Sequence, residues 1–486
     1  MAVSGVPAAG YTPAPKKQAL ASAYLDFTNG TNDWAQQYLP DLMEKEAEVF
    51  GNRTISGFLS QVGAEESMSS DQVIWTEQGR LHLSYKLVNI TQGSGGVKDA
   101  DLTFAGNTTD VDGTVVAGTA HGIRPGDMLL VSDADATARM YVEGVTAAGV
   151  VQAKRYDGAN AVGGSAGEMA TGGDVSVLVF GSEYSKATTG RTGANAPGFK
   201  SRSNKPIILK DKYEVSGSDA SAIGWVEVSG EEGQSGYLWY LKASGDTKAR
   251  FSDYLEMAMM ESVTGAGTAP TSAGTNGGAI TGTEGLFEAL ETRGNISTTL
   301  DNAATLVEFD DIIDELDANG AIEENMMFLD RATSLNIDDM LAGLNGNYAT
   351  GTSYGVFNNE ADMALNLGFT GFRRGSYDFY KSDFKYLNDK STRGLINATD
   401  GTNAIHGVMI PAGVSSVYDQ SLGKNLKRPF LHVRYRASQL ESRKYKTWTT
   451  GSVGATTSDL DAMEMHFLSE RCLVVQGANN FVLMKG

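Results

Sequence analysis

The chain reads as blocks that change period. Over 71–90, Val73, Trp75, Leu81, Leu83, Tyr85 and Leu87 recur at every second position, with Glu77 and Gly79 in phase. That spacing puts them on one face of a long strand. A second extended stretch covers 205–228, with Ile207, Leu209, Tyr213, Val215, Trp225 and Val228. The two are expected to pair as arms of a hairpin. Between them, 97–182 is dense in Gly and β-branched residues. Its short apolar runs (Val115-Val116, Met128 to Val131, Met140 to Val145, Val150-Val151, Val175 to Phe180) alternate with turn signals. This is the texture of a small β-barrel or sandwich inserted into the hairpin.

The period then becomes helical. Over 234–263, Leu238, Leu241, Phe251, Leu255, Ala258 and Met259 fall near one stripe. Thirty helical residues would span about 45 Å. A Gly- and Thr-rich stretch, 264–285, ends the helix. Residues 284–294 open another helix or strand. FDDIIDELDANG (309–320) predicts an amphipathic helix with Phe309, Ile312, Ile313 and Leu316 inward and Gly320 as its stop. MMFLD (326–330) predicts a buried strand, and 334–344 a helix capped by Ser334. Further strands are expected at 405–411, 429–436, 462–468, 472–476 and 480–484. The mixture is α+β. At the other end, 1–50 reads as an arm rich in Ala, Gly and Pro. Trp34, Tyr38, Leu39, Leu42 and Met43 share roughly one face there, and Pro40 interrupts them.

Composition narrows the function classes. The 486 residues carry a net charge of -20, which argues against a free nucleic-acid binder. The charge is uneven. Residues 284–345 hold fifteen acids and two bases, whereas 424–446 hold eight bases and one acid, and 183–214 seven bases and three acids. Such patches suit head-to-tail contacts between copies, or they face each other inside one monomer. A single cysteine, Cys472, excludes intrachain disulfides. With no apolar leader at the N-terminus, it fits synthesis in a reducing cytoplasm. No apolar run is long enough to predict a membrane span.

Candidate chemistry is thin. Gly163, Gly164, Ser165, Ala166 and Gly167 match G-x-S-x-G, but no strand precedes them and no helix follows, so a Gly loop is expected. The histidines His82, His121, His406, His432 and His466 have no zinc-motif spacing. Asp110, Asp112, Asp133 and Asp135 lack the rest of a calcium loop and read as turn acids. Cys472 lies in an apolar strand and reads as a buried thiol. Arg373, Arg374 and the 424–446 cations suit either DNA phosphates or acidic neighbours.

The order of these pieces resembles the major capsid proteins of tailed double-stranded DNA bacteriophages, the Hong Kong phage capsid fold shared with herpesvirus shells and encapsulins. GNRTISGFLSQVGAEE (51–66) with IWTEQGRLHLSYK (74–86) resembles the start of that family's extended loop, and NKPIILKDKYEVSGSDASAI (204–223) its returning strand. FDDIIDELDANG (309–320) with NMMFLDRATSLNIDDML (325–341) resembles the peripheral helix passing into the axial domain. AMEMHFLSERCLVVQGANNFVLMKG (462–486) resembles the closing peripheral strands. The resemblance implies an N-terminal arm (1–50), an extended loop (51–96 and 183–232) and an inserted all-β domain (97–182). It further implies a spine helix (233–263), a peripheral domain (264–321 and 424–486) and an axial domain (322–423).

It also implies self-assembly into hexamers and pentamers of an icosahedral head around double-stranded DNA. The virion would be assembled in the bacterial cytoplasm, with no catalytic, cofactor or metal residue. The expected partners are copies of the chain, portal, scaffolding and head decoration or fibre proteins, and packaged DNA through weak non-specific contact, with no membrane. The intersubunit contacts expected are Trp34, Trp75, Leu81, Tyr85, Lys205, Lys212, Arg428, Arg434 and Arg436. Some relatives crosslink a Lys to an Asn between subunits. Lys86 and Lys98 lie on or near the loop but match no such motif, and no crosslink is predicted. Two competing readings are an encapsulin-like compartment and a secreted glycan-binding or glycan-cleaving protein. The latter has Tyr141 and Tyr156 in the insert but no Trp there.

Overall fold

The computed structural model divides into Met1–Arg53 and Thr54–Gly486. It describes residues 64–79, 82–93, 96–110, 113–163, 167–190, 199–218, 227–229, 235–265, 271–272, 278–298, 305–320, 322–347, 371–399, 401–412, 414–419, 424–453 and 456–486. The arm with Trp34 lies outside them, as does Leu81.

The insert is a closed barrel. Its strands run in the spatial order Asp174–Ser182, Asp127–Ser132, Thr137–Val145, Val151–Arg155, Gly96–Thr103, Ser84–Gly93, and the last pairs back with the first. The short strand Thr109–Asp110 adds to Ser84–Gly93. Alternation fills the interior: Val88, Ile90, Leu102, Leu129, Val131, Met140, Val142 and Val151 are all fully buried. Closure removes the sheet edges that a flat insert would expose.

The barrel starts earlier than expected, at Ser84, so the long strand read over 71–90 is two strands, Val73–Gln78 and Ser84–Gly93. Alternation also slips inside the second. Val175 pairs with Val88 and Val177 with Tyr85, leaving Lys86 and Leu87 together opposite Ser176. This is a β-bulge. Leu87 takes a left-handed φ of 57° and turns outward. Its period-2 match to Tyr85 is therefore misleading.

The hairpin pairs Val73–Gln78 antiparallel with Phe199–Asn204. The stretch expected to return along it, Ile207–Ser216, instead forms one edge of a five-stranded sheet. There it lies antiparallel to Ala462–Val475, from Ile207 opposite Arg471 to Ser216 opposite Ala462. The other side of Ala462–Val475 takes Lys446–Gly451 and Leu431–Arg436, and Ala64–Met68 adds in parallel to the last of these. The helix Leu238–Glu261 packs on this sheet through Phe251 and Leu255 against Phe467.

Ala462–Val475 is one strand where two were expected. The polar triplet Ser469, Glu470 and Arg471 caused the misreading. Its groups are satisfied inside: Ser469 Oγ donates to the Lys444 carbonyl (2.6 Å), Arg471 donates to the same carbonyl (3.0 Å), and Arg443 pairs with Glu470 (2.5 Å).

A six-stranded sheet runs Asn295–Ser297, Val482–Lys485, Ile405–Pro411, Glu324–Leu329, Tyr377–Asp383, Gly371–Arg374. The helices Leu306–Asn319 and Arg331–Asn347 contribute Phe309, Ile312, Leu316, Ile337 and Leu341 to one face, against Met327, Leu329, Phe379, Met409 and Met484. The opposite face, with Phe328, Val408, Ile410 and Leu483, joins Met259, Met260, Leu286, Val433 and Leu473 in a core shared with the first sheet. The helix at 309–320 and the last strand were read with the peripheral segments. Here both belong to the sheet built around Glu324–Leu329, because periodicity gives a buried face but not its partner.

The helix Leu306–Asn319 opens with a capping box between Thr305 and Glu308 and ends at left-handed Gly320, the expected stop. The next helix starts before Ser334. Asp330 accepts from the Thr333 N–H (2.7 Å) and takes the capping role instead.

Candidate assembly surface

The hairpin is a two-stranded ribbon, too small to be stable alone. One face is clamped to the body by polar groups. Asn204 is buried and Nδ2 donates to the carbonyls of Leu473 (2.7 Å) and Glu284 (3.0 Å). Its Oδ1 accepts from Glu284 N (2.9 Å), Thr283 Oγ1 (3.0 Å) and Lys205 N (2.8 Å). Glu77 Oε1 accepts from Trp75 Nε1 and from Gly477 N, each at 3.1 Å. Arg293 stacks over the Trp75 ring (5.8 Å) and pairs with Glu284 (3.0 Å). Burial pushes the Glu284 carboxyl above its ordinary value, against the pull of Arg293.

These contacts relocate the expected intersubunit residues. Trp75 is only 7% exposed and Tyr85 4%, both enclosed by their own chain. Tyr85 lies in the barrel core, where its hydroxyl accepts from Gly122 N (2.8 Å). Neither side chain has surface left for a second copy. The ribbon's open face carries Ile74, 65% exposed, with Thr76, Ser201 and Ser203. Alternation predicts which residues share a face but not which face is covered, and here it was the Trp face.

The basic stretch is likewise spent internally. Arg434 pairs with Glu66 (2.7 Å), Arg436 with Asp71 and Glu470, Arg443 with Glu470, Lys444 with Glu65, and Lys446 with Glu441 (2.5 Å). The Arg428 side chain lies outside what is described. Lys212 bridges Glu214 (2.8 Å) and Glu464 (2.9 Å), while Lys205 is exposed. The acidic stretch finds other partners: Asp310 with Arg374, Asp338 with Lys381 (2.5 Å), and Glu291 with Lys485 (3.0 Å). Among the described residues the two stretches do not pair with each other. Exposed Asp311, Asp314 and Glu315 have no ion-pair partner among the described residues.

Potential reactive groups are structural. Among the described residues, no three or more His, Cys, Asp or Glu group to hold a metal. Asp133 spends its carboxylate on the N–H groups of Asp135, Ala136 and Ala170. His406 Nδ1 meets Asp330 (3.1 Å), and the Asp330 N–H donates to the His406 carbonyl (2.8 Å), so the pair fastens a helix start to the sheet. Burial drives the Cys472 thiol up to about 12. Ser165 lies outside the described residues. No described helix is long and apolar enough to cross a membrane.

No family model and no curated protein matches the sequence. Among the solved structures that align with the chain are phage capsids. The capsid structure of cyanophage P-SCSP1u aligns at 9% identity over 95% of this chain and 96% of that one, with a TM-score of 0.39. A Mycobacterium phage Ogopogo structure aligns at 9% identity over 95% and 99%, with a TM-score of 0.38. The mature capsid of bacteriophage PhiM1 aligns at 11% identity over 63% and 78%, with a TM-score of 0.34. TM-scores this low do not establish a common fold.

Proposed function

We propose that the chain is the major capsid protein of a tailed double-stranded DNA bacteriophage. In this reading copies assemble into hexamers and pentamers of an icosahedral head in the host cytoplasm. Portal, scaffolding and decoration proteins join the shell, and DNA touches it weakly. The role is structural and not catalytic.

The observation that carries the reading is the hairpin. A thin ribbon stands on a polar clamp with one face open and Ile74 exposed on it, followed by a long helix and two mixed sheets that share a core. A ribbon held on one face only gains stability when another surface covers the other. A neighbouring copy supplies that surface in a shell.

Electron microscopy of the expressed chain tests this directly, with closed shells expected. Ile74→Asp should leave melting unchanged and abolish shells. Particles with normal yield from that variant would remove the hairpin from the contact. Persistently monomeric wild-type chain under assembly conditions would sink the capsid reading.

A further inference from the structure

The outermost strand of the five-stranded sheet, Ala64–Met68, is attached unlike its neighbours. Of its described side chains only Met68 is buried. The linker Ser69 to Gln72 is exposed throughout. What the strand does have is charge. Glu65 meets Lys444, Glu66 meets Arg434 (2.7 Å), and Asp71, just past the strand, meets Arg436. Beyond these lie the parallel ladder from Ala64 opposite His432 to Met68 opposite Arg436, and the Ala437 N–H donating to the Met68 carbonyl (2.9 Å). The next strand pair inward is different. Leu431, Val433, Leu473 and Val475 are each buried in the shared core.

We propose that Ala64–Met68 is an electrostatic latch, released from the Leu431–Arg436 edge by ionic strength while the rest of the sheet stays folded. Apolar burial is insensitive to simple screening, but ion pairs open to solvent are not, the pairs of Asp71 with Arg436 and Glu65 with Lys444 more so than the half-buried pair of Glu66 with Arg434. Raising salt from about 0.1 M to about 1 M shortens the screening length from about 10 Å to about 3 Å. An element with little buried apolar surface and exposed hydrogen bonds opens below the global unfolding free energy. Release leaves an open strand edge lined by Arg434, Arg436 and Lys444. Its chemistry fits an acidic extended segment added as a parallel strand.

The test is hydrogen exchange followed by mass spectrometry on the unassembled full chain at low and high salt. Peptides covering 64–68 and the Ala437 amide are expected to exchange about tenfold faster at high salt, the scale of a few surface ion pairs weakened together. Amides pairing Leu431–Arg436 with Ala462–Val475 should not change. The neutral triple variant Glu65→Gln, Glu66→Gln, Asp71→Asn should exchange fast at low salt and lose the salt response. The swap Glu66→Arg with Arg434→Glu should restore protection. Salt-independent exchange at 64–68 in the parent, a full salt response in the neutral variant, or opening of the whole sheet together would each overturn the latch. These outcomes do not depend on whether shells form.

Discussion

Replacing Asn204 with Leu removes five hydrogen bonds while keeping the number and branching of the side-chain heavy atoms. Not all five losses cost equally. The carbonyls of Leu473 and Glu284 each keep a second lone pair, and the Thr283 hydroxyl can rotate. The Glu284 N–H has no such freedom, and it sits two residues before the helix Leu286–Arg293. A buried group stranded in this way costs about 1–3 kcal/mol. Adding partial losses at Thr283 and the two carbonyls gives about 2–5 kcal/mol in total. Because the clamp joins 204 to 283–284 and 473, the cost should fall on hairpin docking before the sheets melt. Hydrogen exchange of 73–78 and 199–204 should rise by one to several orders of magnitude, since each 1.4 kcal/mol is a factor of ten. Asn204→Asp keeps the acceptor but turns a carboxylate oxygen toward two carbonyls, and should be at least as damaging. If Asn204→Leu leaves hairpin exchange within about twofold of the parent, less than 1 kcal/mol, the clamp does not hold the hairpin and the reasoning fails.

Other expectations follow from single groups. Lys381 and Asp338 are 7% and 9% exposed, so Lys381→Met should cost about 3–5 kcal/mol. The double variant with Asp338→Leu should recover most of that in a thermal melt. His121 is buried, with Nε2 on the Gly149 carbonyl (2.8 Å), and burial, aided by Arg124, holds it below its ordinary value. The unfolded chain therefore binds the extra proton first, and barrel stability should fall as pH drops below about 6.5. His121→Gln should remove that dependence, as read by exchange of barrel amides across the range. The Cys472 thiol should resist thiol reagents at pH 8 in the folded chain and react at once in denaturant. Rapid labelling of folded protein would show that its strand opens.

Sequence patterning carried most of the local structure. Phe309, Ile312 and Leu316 with Gly320 gave a helix and its stop, and Ile405–Pro411 stands where its apolar run placed it. The failures have separate causes. Leu87 breaks alternation through a bulge that only its partner strand defines. Ser469 to Arg471 hid a continuous strand because their burial depends on Lys444 and Arg443, distant in sequence. Tyr377–Asp383 went unread although Tyr377 and Phe379 alternate and Gly375 supplies a left-handed turn (φ 59°). Trp75 and Tyr85, read as contacts with another copy, are enclosed by their own chain for the same reason. Trp75 was legible as part of an apolar face, but the Arg293 that stacks on it and the Gly477 that holds its partner Glu77 come from far along the chain.

The barrel has one further consequence. Its incoming and outgoing strands are neighbours: the Val179 N–H donates to the Leu83 carbonyl (3.0 Å), and Ser84 stands opposite Leu178. To the rest of the chain the whole module is a turn between two points about one strand spacing apart, near 4.8 Å. Nothing threads it and no core is shared with the two sheets among the described residues. It is a cassette. A two-residue turn or another small domain with adjacent ends can occupy the same seat, so the scaffold and whatever it displays are free to diverge independently.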